Sequence, residues 1–524
     1  MTISPTSLAA IVGVGVENQQ FAVTAQVKPQ KNVIIGTFDE AVHVEIVENV
    51  PIRVYSAAQV AGLTGYGFML HRLARAAFRP GNVETWIIPQ LEGGSDPDQA
   101  TADIDFTGSA SVLAGTIYLY IAGDLVRVPI TADMTDDQIG EAVEAAVNAD
   151  DDLPVTAANV AGVVTFTSKS GGTWGNFISL QIGNSTGPQT QELPGGVVAT
   201  LPVSGYLAGG VGVPDIQDAL DALGTGDAQN EGDFTNLIHG YGADTGTLNA
   251  ISTYNGIGNT FVGNYKKEVA RPFRSLIGDT TPLAAGLTAA LAFAALRRTD
   301  RTNGKICAPG SPNHPQEIAA QAVGVMAVTN IIRAEEGYID KPLDGVWPGA
   351  TADRWTNDYD SRDQAVKGGV GTTLVKAGTL YLQNVITFYR PTDVAPESNG
   401  YRAMRNISII QNILAAKKAN YDREKWKGIT LVEDTSKVSN ITSRQKARDK
   451  GAVIDDEIAL ADQFAGHAWI YTASYTKQNV SVTLRAGLTG FDIISPVILS
   501  GEGGIYNNLV TMDTSIAILL AGGE

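Results

Sequence analysis

The chain has 524 residues, of which 44% are hydrophobic and 18% charged, with a formal net charge of −18. A length of this order spans roughly three domains with ample material for a core, and the balance of apolar and charged residues excludes a disordered chain. The acidic balance argues against a nucleic-acid partner, because a phosphate binder needs a basic face to displace counterions.

At the start of the chain Phe21, Val23, Ala25 and Val27 alternate with polar or small neighbours as in a strand, and a linker through Pro29 follows. We read residues 1–30 as an N-terminal arm and linker. Residues 31–90 form the first part of a core domain, with short apolar strands at Asn32–Thr37 and Ile52–Tyr55 and a helix over Gly67–Phe78. Residues 91–205 are read as an inserted, acidic, solvent-facing domain. Between Leu91 and Gly205 stand 15 Asp and Glu against only Arg127 and Lys169, so the insert carries most of the net charge. Its pattern is ββαββ: strands at Thr116–Ile121 and Leu125–Ile130, a helix opened by the capping-box sequence Thr135–Gln138, and strands at Val163–Ser168 and Phe177–Ile182.

Residues 206–370 resume the core with helices at Pro214–Leu223, Gly286–Arg298 and Pro315–Glu335 and strands at Phe234–His239 and Lys305–Ala308. This alternation predicts an α/β layered core. Residues 371–524 form a C-terminal α+β domain: a hairpin over Thr372–Tyr389, helices at Tyr401–Asn420 and Glu457–Gly466, and strands at Ala468–Ser474, Val480–Arg485, Phe491–Leu499 and Leu509–Leu520. The Gly501–Gly504 joint precedes the last strand, so a C-terminal arm over about 505–524, with Val510, Met512, Ile516 and Ile518, mirrors the N-terminal one. The fold class is therefore α+β multidomain with strand arms at both termini.

Recognisable catalytic chemistry is absent. Cys307 stands alone and cannot form an intrachain disulfide. The five histidines, His43, His71, His239, His314 and His467, are scattered without metal-ligand spacing. No P-loop occurs, and Gly183–Gly187 satisfies the GxSxG pattern without the helix that a nucleophile elbow requires. We therefore expect no catalytic residue, metal or cofactor. The longest apolar run, Pro282–Leu296, is shorter than the ~20 residues needed to cross a bilayer, so no direct membrane insertion is expected. Charge offers a different clue. Between Leu414 and Gly451 ten basic residues face five acidic ones, and the segment containing Lys417, Lys418, Arg423, Lys425 and Lys427 is a candidate docking face for an acidic protein surface.

The order of several segments resembles the contractile tail sheath proteins of bacteriophages, in particular the Mu-like branch. They are Val54–Asn82, with its strand, glycine turn and long helix; Ala110–Ile182, including GTIYLYI; Gly209–Ile216, a Gly-Gly and Pro-Asp-Ile entry to a helix; and Arg362–Tyr389. The resemblance implies a structural subunit, not an enzyme. It would stack as six-fold rings in a helical sheath around a tail tube and contract to drive the tube through the host envelope. Its partners would be further copies of itself, the tail tube protein, and baseplate and tail terminator proteins. Assembly in the bacterial host cytoplasm and residence in the virion tail follow. On this reading the insert protrudes, the C-terminal domain lies toward the tube with Lys417–Lys427 facing it, and the two arms reach neighbouring subunits by strand addition. Another tail component, such as a tube or baseplate protein, is the alternative, with an α/β hydrolase behind it.

Overall fold

The computed structural model describes residues 27–93, 98–183, 193–223, 233–257, 263–265, 270–355, 359–390 and 399–503. These residues are mixed α/β and fall into two compact units, one built from residues 27–28 and 412–498, the other from residues 29–411 and 499–503.

The larger unit is organised by one eight-stranded sheet. Its first members are β1 (Lys31–Thr37), β2 (Ile52–Val54) and β3 (Glu84–Gln90), with α1 (Ala57–Thr64) and α2 (Met69–Phe78) between β2 and β3. β1 centres on the apolar run Val33–Ile35, and six of its seven residues are buried, as a strand covered on both faces requires. It pairs in parallel with β3 on one side and with β10 (Asn236–His239) on the other. The whole acidic segment thus lies, in sequence, between two neighbours of one strand.

That segment folds as β4 (Thr101–Asp105), β5 (Gly115–Ile121), β6 (Asp124–Ile130), α3 (Asp136–Asn148), β7 (Val155–Val160), β8 (Val163–Ser168) and β9 (Leu180–Ile182). The expected capping box is present, with Thr135 and Gln138 exchanging side-chain and backbone hydrogen bonds. The ββαββ pattern is extended to six strands in two three-stranded sheets, ordered β4-β8-β7 and β6-β5-β9. β7 escaped the sequence reading because Ala157, Ala158 and Asn159 favour strands weakly; cross-strand pairing with β8 overrides that preference.

After α4 (Ile216–Ala222) and β10, the sheet grows outward through α5 (Thr245–Asn255), β11 (Arg274–Asp279), α6 (Leu283–Leu296), β12 (Asn303–Cys307), α7 (Pro315–Asn330) and α8 (Tyr359–Lys367) to β13 (Gly371–Lys376) and β14 (Thr379–Asn384). Only the outermost pairs, β2 with β3 and β13 with β14, are antiparallel. Consecutive residues of β11 and β12 divide between two clusters. Leu276 and Ile306 join α2 and α7, whereas Ile277 and Cys307 meet Leu248, Ala290, Ala294 and Trp355. Alternate side chains on opposite sheet faces produce this division. Burial drives the Cys307 thiol far above its ordinary range, which suits packing rather than reactivity.

The insert expected to face solvent is also bound to the core on one side, by buried charge. Arg72 of α2, fully buried, donates from Nε to Glu317 of α7 at 2.7 Å and from Nη1 to Asp124, at the β5–β6 turn, at 2.5 Å. Arg75 reaches the same Asp124 oxygen at 2.5 Å. Burial alone would raise the Asp124 carboxyl, but the two guanidiniums outweigh it and hold it below the usual range. Around this pair Trp347 donates its indole N–H to the Gly123 carbonyl at 2.8 Å, and Ser179 donates its hydroxyl to the Pro312 carbonyl at 2.5 Å. Gly67, with φ +79°, lies against the carbonyls of Asp151 and Leu153, where any side chain would collide. His71 beside them is lowered to about 4 by burial, reinforced by Arg72 and Arg75, so it faces Asp152 uncharged at neutral pH.

Within the smaller unit run the end of α9 (Met404–Tyr421), β15 (Thr430–Leu431), α10 (Ile441–Lys446), β16 (Ala447–Arg448), α11 (Lys450–Gly466), α12 (Ala473–Asn479), β17 (Ser481–Leu484) and β18 (Phe491–Ile494). Phe464 and Trp469 stack with centroids 5.7 Å apart in its core. The strand expected at Ala468–Ser474 does not form. Thr472 accepts from the Ser474 amide and caps α12 instead, a local bond that competes with strand pairing. Among the described residues no helix is long and apolar enough to cross a membrane.

Candidate functional site

β17 and β18 form an antiparallel hairpin that joins no other strand among the described residues. The register pairs Val482 with Ile493 and Leu484 with Phe491, so these four apolar side chains share one face. Val482 of that face is buried, and β17 packs against α11. The opposite face carries Ser481, Thr483, Asp492 and Ile494, the last 67% exposed. The turn is closed by the Arg485 amide donating to the Gly490 carbonyl at 2.9 Å. Gly487 and Leu488 take positive φ there, a conformation that costs leucine energy and is tolerated where a tight turn demands it.

A two-stranded sheet is marginal by itself, because each strand leaves one row of backbone N–H and C=O groups without a ladder partner. Sequence reasoning foresaw strands here but not their isolation, since pairing partners are a property of the whole chain.

The roots of both terminal segments are fixed. The Lys28 amide donates to Asn412 Oδ1 at 2.6 Å. In the larger unit Gln30 accepts from Arg274 at 3.3 Å, and that fully buried guanidinium also donates to Asn236, Asn330 and Tyr338. At the other end Arg405 holds Ser500 twice, through its carbonyl at 2.8 Å and its hydroxyl at 2.6 Å. Glu502 then packs against Gly337, beside Tyr338, and its carboxyl is raised by burial. Arm residues Phe21, Val23, Ala25, Val510, Met512, Ile516 and Ile518 lie outside the described residues; Val27 lies at their edge and is half-buried.

The basic segment folds back on α11. Lys417 meets Glu457 at 2.8 Å, and Tyr421 donates to the same carboxylate at 2.8 Å. Glu457 is 1% exposed. Lys425, Asn420 and Trp426 all donate to Asp456, at 2.6, 3.0 and 2.8 Å. Burial opposes the Asp456 charge, but these donors prevail and lower its pKa. Lys418 pairs with Asp422 one turn on, at 2.8 Å. Arg423 is half-buried and Lys427 is exposed. The sequence count stopped just before Asp455, Asp456 and Glu457, so it missed the carboxylates that neutralise this face. Lys417 is consequently a folding residue. Lys417→Met should destabilise the smaller unit by about 3 kcal/mol by stranding a buried carboxylate, measured as the shift of its urea transition; an unchanged transition would refute the pairing.

No family model matches the chain. Over 362 residues the chain is 25% identical to the Mu-like prophage FluMu tail sheath protein of Haemophilus influenzae, with 68% of each chain covered. Among solved structures it resembles the sheath tail protein from Desulfitobacterium hafniense, with 10% identity, a TM-score of 0.42 and 93% of this chain and 100% of that chain covered. It also resembles a chain of the PVC sheath complex in the contracted state, an extracellular contractile injection system. There the identity is 10% and the TM-score 0.43, with 98% and 100% covered.

Proposed function

We infer that this chain is a tail sheath protein of the Mu-like branch and acts as the structural subunit of a contractile tail sheath. The sequence relationship to a tail sheath protein supports the family, and the isolated β17–β18 sheet is the observation that carries the mechanism. A sheath must rearrange its subunit contacts without coming apart. Strands tethered by short linkers meet that demand, because they stay paired while the bodies they join rotate.

The sheet has two edges and the chain has two strand-like arms. In our reading Phe21–Val27 of one neighbour and Val510–Ile518 of another each add to one edge, giving a four-stranded sheet shared by three subunits. The fixed roots at Lys28 and Ser500 then transmit load from arm to body. No nucleotide site is needed, since the energy of contraction would lie in the difference between two packings of the same subunits.

The finer assembly follows the same reading: six-fold rings around a tail tube, ends met by baseplate and terminator proteins, and assembly in the host cytoplasm before residence in the virion tail. The larger unit would supply the layered body with the insert protruding, and the smaller unit would lie toward the tube. Of the basic segment, Lys418, Lys425 and Lys427 keep solvent access and would make a weak, screened, renewable tube contact. Negative-stain electron microscopy of the purified chain, with and without tube protein, should show hollow, cross-striated tubes; dispersed particles in both samples would count against a sheath.

A further inference from the structure

We propose that the loop Asp39–Val50 is a second, side-chain-mediated self-contact, and that it receives the exposed basic helix α10 and its flanks from another copy of the chain. The proposal rests on the sheath reading for the assembly in which the contact operates.

The loop is built rather than slack. Asp39 accepts the amides of Ala41 and Val42, each at 3.2 Å, and the His43 amide donates to the Asp39 carbonyl at 3.0 Å. Ile46 packs on the core, and the Asn49 amide donates to the Pro89 carbonyl at 2.7 Å. Yet this fixed loop leaves Val42, Val44, Val47 and Val50 exposed, Val44 by 81%. Four clustered valines held out in water mark a surface that is covered in use. In the same loop stand Asp39, Glu40, Glu45 and Glu48 with no lysine or arginine. The loop leads directly into β2, a sheet edge.

α10 is its complement. Asn440 caps it by accepting the Ser443 amide at 3.1 Å, and Arg444 Nε donates to the Val438 carbonyl at 2.7 Å. None of its six residues is buried, and Ile441 is 75% exposed. So short a helix gains little from its own hydrogen bonds, and here it buries no apolar face of its own. Lys437, Arg444, Lys446, Arg448 and Lys450 surround it; Lys437 lies 4.0 Å from Asp434 and Lys446 3.7 Å from Glu424, both loose pairs on the surface, and Asp449 is the other acid beside the helix. One patch is therefore acidic with apolar centres, the other basic with an apolar centre.

Complementarity of two different patches on one chain has a geometric meaning. A heterologous contact repeats head to tail and generates rings or open helices, whereas a self-complementary patch closes a dimer. The strand arms can supply the tether; this contact would set which neighbour each body touches, and opposite charge suits a contact that must release and re-form.

The test is a charge exchange. One variant carries Glu40→Lys, Glu45→Lys and Glu48→Lys; a second carries Lys437→Glu, Arg444→Glu and Lys446→Glu; a third carries all six. Self-association is read as tubes by microscopy and as sedimentation velocity of the unassembled chains. Circular dichroism verifies the fold, and Val44→Ser supplies a milder probe of the same loop. Each triple reversal should raise the concentration required for association about tenfold or more, and the six-fold exchange should restore it to within about twofold of the parent. Reversals that associate like the parent, or a six-fold exchange that fails to restore association, would overturn the contact. A parent that associates charge-dependently in solution but never forms tubes, even with tube protein, would overturn the sheath reading while leaving the contact standing.

Discussion

A chain lacking Met1–Gln26 should form no ordered tube at any concentration and remain a folded, dispersed particle. The cut leaves Lys28 and its bond to Asn412 in place, and it removes no residue of the eight-stranded sheet, whose first strand begins at Lys31. Folding and assembly are therefore separable by this deletion. Each added backbone hydrogen bond is worth only about 1 kcal/mol net, so a four-residue edge gains little from a single arm. In a closed lattice every subunit both gives and receives strands, and the joints reinforce one another through effective concentration. Loss of one class of joint from every copy should thus abolish the lattice instead of weakening it in proportion. Microscopy and sedimentation of the truncated chain check this directly. Normal tubes from the truncated chain would remove the arm from the mechanism and leave the β17–β18 edges without their occupant.

What was legible in the sequence followed from local chemistry. The buried run of β1, the capping box at Thr135 and Gln138, and the strands at β17 and β18 are properties of neighbouring residues, and all three appear where local rules place them. Contacts over long separations were not legible. Nothing near Lys417 in the chain points to Glu457, forty residues on, so a lysine read as a docking charge serves a buried carboxylate. Likewise the acidic count of the insert could not reveal that Asp124 is consumed by two arginines of α2. Strand isolation belongs to the same class, because whether a hairpin acquires a third strand depends on every other strand in the fold. Charge counts along a chain measure the potential for partners, and tertiary packing decides which of them are internal.

Arg72→Met should be the most damaging single substitution in the larger unit. The guanidinium is fully buried and spans two elements, Glu317 of α7 and the Asp124 turn of the insert, with a further bond to the Asp152 carbonyl at 3.1 Å. Removing it strands Glu317, whose side chain is almost as deeply buried, and leaves Asp124 to Arg75 alone. Breaking a buried pair by removing one partner costs about 3–5 kcal/mol, because the remaining charge keeps its desolvation penalty. Methionine retains much of the volume, so the loss reports charge more than cavity. The effect should be local first: hydrogen exchange should rise at the β5–β6 turn and around Trp347 before the eight-stranded sheet opens, since those contacts depend on the docked turn. Asp124→Asn should cost less, because Arg72 keeps Glu317. If Arg72→Met left both urea stability and exchange at the turn unchanged, charge would not be what holds the insert to the core, and the apolar and backbone contacts near Gly67 and Ser179 would have to do so.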